Sequence, residues 1–464
     1  MQRAFLLVSL STYLMAAPPA PDWASLQEET LRHFQTLVRM DTTDPPGHEA
    51  PAVEYLKKVL EAEGIAVRTF ATTPRRPNLV ARIKGNGTKR PLLIMAHTDT
   101  VNVVPEKWSH PPFSAARADG YIYGRGTVDD KDNVTAALMT MLLLKRLNVP
   151  LERDVIFLAE AGEEGTTEVG IEYMVREHWA EIEAEFCIAE GGRTLRKDGK
   201  MSRTLVATTE KTPMAIRLIS KGTAGHGSVP LPDNAIARLG AAIAKVAAYR
   251  TPMRLNDTTR TYFERLAVIS EPAAAARYNN LVDPEKGPAI QEYLRLNEPM
   301  HYSMLRTSLS ATMLKGGTRK NVIPGEAEAL FDVRMAPGED LPWLKGELEK
   351  TVGDTNVRVV VDPSTRPAAP PSRLESPVFR AIEDAQKRVY PGAPVLPIMS
   401  TGASDKVYLQ NKGVQCYGIG PLMDEEDAAK GFGAHSDQER ILEAEIHRFV
   451  VFNWEIVTAV AAAR

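Results

Sequence analysis

Five short stretches of the sequence carry residues that could do chemistry: His97-Thr98-Asp99, Asp129-Asp130-Lys131, Glu163-Glu164, Glu190-Gly191-Gly192 and His435 within Gly433-Ala434-His435-Ser436. Four of them follow an apolar run or a glycine-rich turn, and His435 precedes the last helical stretch. The side-chain types are imidazole and carboxylate, with no thiolate among them. That donor set suits catalytic zinc, and cobalt or manganese would also fit, whereas structural zinc favours closed cysteine-rich sites. Two ions fit better than one. The positive charge of a divalent pair is cancelled by three carboxylates (Asp129, Glu164, Glu190) and one bridging hydroxide, a nucleophile formed at neutral pH beside a polarised carbonyl. Asp99, two residues after His97, is placed to accept the other ring N–H and fix the tautomer. Glu163 adjoins a ligand without being needed as one, which suits a general base that returns its proton to the leaving amine.

Taken singly, these residues say little: an acidic residue after a strand is most often a cap or a solvated loop. Their joint occurrence, each where an open α/β sheet collects its ligands, gives them weight. His33, His48, His110, His178, His301 and His447 lack such context and read as structural.

The elements that would position these groups are legible. Ser25-x-x-Glu28 reads as a capping box before a helix, and Pro51 and Gly64 bracket a second. Apolar runs at 78–83, 92–96, 155–159 and 186–189 alternate with helical stretches, including one over 132–147. Continuous runs such as LLIMA and VIFLA suit strands covered on both faces. The fold expected is therefore α/β: a mixed, mostly parallel sheet with helices on both faces. Between 205 and 361 the pattern changes. Runs at 205–209 and 214–219, a helix over 234–248, a polar insert, runs at 308–314 and 327–334, a helix near 341–352 and a run at 357–361 read as an inserted α+β, ferredoxin-like lid. DPSTRPAAPPS at 362–372 has linker composition. The expected division is 1–17 as a signal peptide, 22–208 with 373–464 as the catalytic domain, and 209–372 as the lid and dimerisation domain.

Composition narrows the class. The 464 residues carry 56 Lys+Arg against 59 Asp+Glu, a net charge of −3, with no basic footprint for nucleic acid. An apolar share of 44% and two cysteines, Cys187 and Cys416, describe an ordinary globular chain without a disulfide framework. Arg3 followed by the apolar stretch 4–17 and then PPAP reads as a cleaved secretory signal, too short to span a bilayer. The expected product is secreted or periplasmic, with no membrane attachment after cleavage.

MAHTDTV, YGRGTVDDKDN, AEAGEEGT, AEGG and GAHSD, in that order, resemble the zinc exopeptidase and amidase family of glutamate carboxypeptidase, zinc aminoacylase, carboxypeptidase S and carnosinase. The resemblance implies two Zn2+ ions, His97 and Glu190 on one, Glu164 and His435 on the other, and Asp129 bridging. It implies Asp99 as the orienting residue, Glu163 as base, and a homodimer formed through the lid. It further implies His226, within Gly225-His226-Gly227-Ser228, as a lid histidine that reaches the partner's site and polarises the scissile carbonyl. Asn321 and Arg334 match substrate-side positions, and Gly402 and Ser404 lie in a loop resembling the one against the substrate carboxylate. Glutamate at position 190 is the form typical of carboxypeptidases and deacylases, so the substrate expected is a peptide or N-acyl amino acid with a free carboxylate. Dipeptidase or aminopeptidase activity, and a metal-binding protein without turnover, are the alternatives, with a serine hydrolase at Ser228 ranked far lower for want of a G-x-S-x-G elbow. Two departures from the family pattern stand out. Asp132 replaces a common glycine, expected as a helix cap, and 252–302 forms an insertion in the lid.

Overall fold

The computed structural model describes residues 20–364 and 366–463. The expected signal segment 1–17 lies outside the described residues. Among the described residues no helix is long and apolar enough to cross a membrane.

The runs VIFLAE, LLIMAH and FCIA are buried along their whole length and become the adjacent parallel strands Val155–Glu160, Leu92–His97 and Phe186–Ala189. Gln415–Gly418 joins them in parallel, with Cys416 opposite Cys187. Both faces of these strands are covered. Lys131–Arg146, Glu443–Ala461 and Pro377–Val389 share one core, and the layer holding Ile171, Met174 and Leu409 forms the other. The parallel centre is flanked by antiparallel pairs: Ala66–Ala71 with Pro77–Ile83 on one side, and Arg193–Lys197 with Lys200–Glu210 on the other. The ten-stranded sheet is thus mixed, as expected.

A second, four-stranded antiparallel sheet runs in the order Ser308–Gly316, Glu326–Met335, Thr212–Lys221, Val357–Asp362. Helices Ala235–Ala248 and Leu341–Val352 cover it, burying Leu239, Leu344 and Leu348 against Ile216, Leu218 and Phe331. This is the ferredoxin-like arrangement read from the sequence.

Three expectations are corrected. The run 205–209 is not a lid strand: it is the end of Lys200–Glu210 in the large sheet, where Val206 and Ala207 are fully buried. The insertion 252–302 folds into helices such as Asp257–Val268 and Gly287–Asn297, whose Tyr262, Phe263 and Leu294 pack on Leu205, Leu396 and Met399 of the large sheet. The range 209–372 is therefore not one packing unit, because the outer face of strands Lys200–Glu210 and Val395–Ser400 needs cover and the insertion supplies it. Finally, Ser25 is not an N-cap. The helix starts earlier, at Trp23, which packs edge-on against Trp454, and Ser25 Oγ donates to the Asp22 carbonyl at 2.9 Å within the first turn.

One buried ion network ties the fold to the residues of interest. Arg76 Nη2 lies 2.9 Å from Asp44 Oδ2 and 2.6 Å from Glu49 Oε1, and its Nη1 donates to Thr166 Oγ1 at 2.5 Å, just beyond Glu163-Glu164. All three charged side chains are buried. Replacing Arg76 by Ala would leave two carboxylates buried without a counter-charge, at a cost of about 3–5 kcal/mol. Denaturant unfolding of Arg76→Ala is expected to show a loss of that size, with Arg76→Lys losing less.

Candidate metal centre

His97 ends its strand, Glu190 follows the neighbouring strand Phe186–Ala189, and Asp129 and Asp130 precede the helix Lys131–Arg146. The sheet therefore delivers them to one place, the carboxyl ends of its parallel strands. Asp129 sits between two imidazoles: its Oδ1 is 3.1 Å from His97 Nε2 and its Oδ2 3.0 Å from His435 Nε2. His435 Nε2 is also 3.1 Å from Glu164 Oε1. Donor atoms of His97, Asp129 and Glu164 lie within 4.8 Å of one another, and so do those of His97, Asp130 and Glu190. The five positions expected to hold metal thus converge, with Asp129 in the middle.

Electrostatics show what such a cluster lacks. Burial disfavours its charged carboxylates, pushing Glu190 up to about 8, helped by Glu163 and Asp129, and Glu164 up to about 7. Burial opposes protonation of His97, but Asp129 and Asp99 still hold it well above the usual imidazole range. His435 is pushed up to about 10 by its contacts with Asp129 and Glu164. Carboxylates starved of cations, and imidazoles drawn into that role, fit a pair of divalent ions. The mixed nitrogen and oxygen donor set fits zinc or its neighbours.

Asp99 acts differently from the sequence expectation. Its backbone carbonyl lies nearest His97 Nδ1, at 3.1 Å, and the closest carboxylate oxygen is 3.5 Å away. The carboxylate instead accepts from the backbone N–H groups of Glu163, at 3.2 Å, and Glu164, at 3.0 Å. One residue thus orients the histidine and anchors the Glu-Glu loop. Glu163 is buried beside the cluster, its carboxyl pushed up by desolvation against the pull of Arg366.

Arg366 and Asp130 were missed from sequence. Arg366 lies in the proline-rich stretch that reads as linker, yet its Nη2 is 2.9 Å from Glu163 Oε1 and donates to the Glu163 carbonyl at 2.8 Å. Its Nη1 is 3.0 Å from Asp405 Oδ1. Asp130 is buried and accepts from His97 N–H at 3.1 Å and from Asn133 Nδ2 at 2.6 Å. The Asp-Asp tandem was its only signal. Asp130, not Asp132, occupies the cap position of the helix, so the expected capping role of Asp132 is not met.

The remaining expected residues do not all gather here. His226 and Asn321 are neighbours within the lid, where Gly225–His226 pairs with Val322–Ile323 and Gly227 N–H donates to the Asn321 carbonyl at 2.8 Å. They lie beyond the far end of strand Thr212–Lys221, which at about 3.4 Å per residue carries the chain about 30 Å from Thr212. His226 Nδ1 faces Ser228 Oγ at 2.7 Å and also accepts from Ser228 N–H. Both contacts use one ring nitrogen, as in a local turn. Arg334 is held by Asp332, with Nε 2.9 Å from Oδ1. Ser404 is buried, its N–H and hydroxyl committed to Glu210 at 2.7 and 2.9 Å, so it stabilises the Glu210–Lys406 pair and is not open to substrate. Gly402 is exposed.

The family model for peptidase family M20/M25/M40 matches residues 93–456. The chain belongs to the M20 peptidase family. As a member of it, the chain is a hydrolase of amide bonds. It is 29% identical over 376 residues to N-fatty-acyl-amino acid synthase/hydrolase PM20D1 of Xenopus tropicalis, covering 79% of this chain and 72% of that one. It is 24% identical over 395 residues to mouse aminoacylase-1, covering 84% and 86%. Among solved structures, the M20 metallo-carboxypeptidase Sso-CP2 of Sulfolobus solfataricus superposes with a TM-score of 0.71 at 20% identity, covering 92% of this chain and 98% of that one. That likeness establishes the fold, a mixed α/β sheet with its helices.

Arg366 holds the Glu163 side chain and backbone without belonging to the metal cluster. Arg366→Ala is expected to lower kcat about 10–100-fold, the usual cost of losing a residue that orients a catalytic group. Metal content by elemental analysis should stay at the wild-type level.

Proposed function

We propose that this M20 chain is a dinuclear-zinc hydrolase of peptide or N-acyl amide bonds next to a free carboxylate, of the carboxypeptidase or N-acyl-amino-acid deacylase type. The observation that carries the reading is Asp129 held between His97 and His435, with Glu164 and Glu190 at either side and Glu163 buried beside them. Relatives support the substrate class, since aminoacylase-1, PM20D1 and a probable carboxypeptidase S-like protein of Dictyostelium discoideum are all among them. A solved M20 protein of Bacillus subtilis is described as a dinuclear metal-binding peptidase.

His97, Asp129 and Glu190 would hold one ion, and Asp129, Glu164 and His435 the other. Bound there, the ions would polarise the amide carbonyl and acidify a water molecule. The chain's own residues supply the rest. Glu163, kept basic and out of bulk water by burial, takes a proton from the attacking water and passes it to the amide nitrogen as the C–N bond breaks. Asp99 and Arg366 fix Glu163 from its amide side and its carboxylate side, so the base is already in position when substrate arrives.

Dimerisation through the lid is part of the proposal. The edge strand Ser308–Gly316 exposes Met313 and Leu314, and nearby Val322 is exposed as well. A lid histidine placed far from its own hinge suits a role across such a dimer. Export of the protein rests on the N-terminal sequence alone.

Three outcomes test the proposal. C-terminal peptides, dipeptides and N-acyl amino acids offered to the purified protein should be hydrolysed in a chelator-sensitive way. Activity that resists chelation but falls to a serine-directed acylating reagent would move the chemistry to Ser228. Glu163→Ala should keep wild-type metal content and lose hydrolysis, by about 100-fold or more; normal turnover would remove Glu163 as base. His226→Ala mixed with Glu163→Ala should regain part of the activity if the lid histidine acts across a dimer, and confirmed heterodimers without recovery would exclude that.

A further inference from the structure

The two histidines of the cluster are held in different ways. The His97 side chain is 1% exposed at the end of a buried strand, whereas that of His435 is 54% exposed and sits on a loop. The His435 backbone has a φ of 62°, in the left-handed region that a residue with a side chain seldom holds without outside support. Burial therefore does not fix this ligand.

Support comes from the end of the loop. Arg440 closes the loop on itself: its N–H donates to the Phe432 carbonyl at 3.1 Å, and its Nη2 lies 2.7 Å from Asp427 Oδ1. Its guanidinium lies over the Phe432 and Tyr121 rings, 3.8 Å from each centroid. The residue before it, Glu439, is fully buried and reaches the loop that carries Asp129. Its Oε1 accepts from the N–H of Val128, the residue before Asp129, at 2.9 Å, and from Thr127 Oγ1 at 3.4 Å. Its Oε2 is 2.6 Å from Nη1 of Arg125, also buried. The Glu439 carbonyl accepts from Gly124 N–H at 3.0 Å. Glu439 itself lies outside both donor groups of the cluster.

The other side of Asp129 has a brace of its own, since Asp130 Oδ2 accepts from His97 N–H at 3.1 Å. The central carboxylate is thus tied to His97 through its neighbour Asp130, and to the His435 loop through Glu439. We infer that Glu439 is a positioning residue for the metal centre: its hydrogen bond to Val128 N–H sets the spacing of Asp129 and His435, and with it the affinity for the ion those two share. This rests on the two-ion reading of the site. Arg125 has a separate task, supplying the counter-charge that a buried carboxylate requires.

Paired substitutions separate the two tasks. Arg125→Gln with Glu439→Gln removes both charges and leaves an amide oxygen for Val128 N–H. Arg125→Met with Glu439→Met removes both charges and the acceptor as well, and neither pair leaves a lone buried charge. Zinc uptake by the metal-free, full-length proteins is measured by calorimetry, after circular dichroism has confirmed the fold. Wild type and the glutamine pair should take up two equivalents. The methionine pair should bind the first as wild type does and the second about 10–100-fold more weakly, the usual cost of losing a residue that orients metal ligands. A methionine pair that keeps both equivalents or weakens both equally would overturn the assignment of Glu439. So would a glutamine pair that weakens the second equivalent as much as the methionine pair. If either pair fails to fold, Glu439→Asp decides, because it keeps a charge for Arg125 while drawing the carboxylate back by one methylene. Its second equivalent should be weaker, and an undiminished one would overturn the assignment. Wild-type protein that takes up fewer than two equivalents would defeat the two-ion reading and this one with it. Two equivalents in wild type, unweakened in the variants, would defeat this one alone.

Discussion

Carboxylates crowded where buried strands end can stay ionised only if cations share the space. Asp129, Asp130, Glu160, Glu163, Glu164 and Glu190 all gather at the carboxyl edge of the parallel strands, and burial raises the pKa of most of them. Two nearby protein cations are already committed, Arg366 to Glu163 and Asp405, and Lys406 to Glu210. That shortfall of positive charge is the constraint from which the rest follows. It selects a divalent pair over a single ion, explains imidazoles drawn toward protonation, and leaves Glu163 as a carboxylate with a guanidinium on one side and the cluster on the other.

The fold meets that constraint by making the ligand-bearing loops stiff. Asp99 spends its carboxylate on two backbone amides of the Glu-Glu loop, and Arg76 holds the next turn through Thr166. Neither contact touches the reaction. Both fix the positions of Glu163 and Glu164, as the proposed base and ligand would require.

The residues proposed as metal ligands could be picked out because each follows a signal that survives without tertiary context: an apolar run, a glycine-rich turn, or a recognisable block. The parallel centre of the sheet was legible for the same reason, since LLIMA and VIFLA can only be covered on both faces. What was not legible depended on contacts distant in sequence. Arg366 sits among prolines whose composition says linker, and only the folded chain shows that this linker passes over Glu163. The helices of 252–302 looked like a polar addition to the lid, because the apolar faces of Tyr262, Phe263 and Leu294 are diluted by charged neighbours. Ser404 matched a substrate loop by motif, yet burial of Glu210 and Lys406 claims its hydroxyl. Motif identity drew attention to the loop, and packing decides which of its atoms remain free.

The chain crosses between the two sheets twice, and both crossings are tied to groups near the reaction. At the first, Lys211 is buried without a carboxylate, its Nζ donating to Ser303 Oγ of the insertion at 2.8 Å and to Ser308 Oγ of the lid edge strand at 3.2 Å. The residue before it, Glu210, holds Lys406, which lies beside Gly191 and therefore beside Glu190. At the second crossing Arg366 reaches Glu163 itself. Lid and metal centre are therefore not independent modules joined by slack connectors. The same few residues at the crossings also brace Glu163 and flank Glu190.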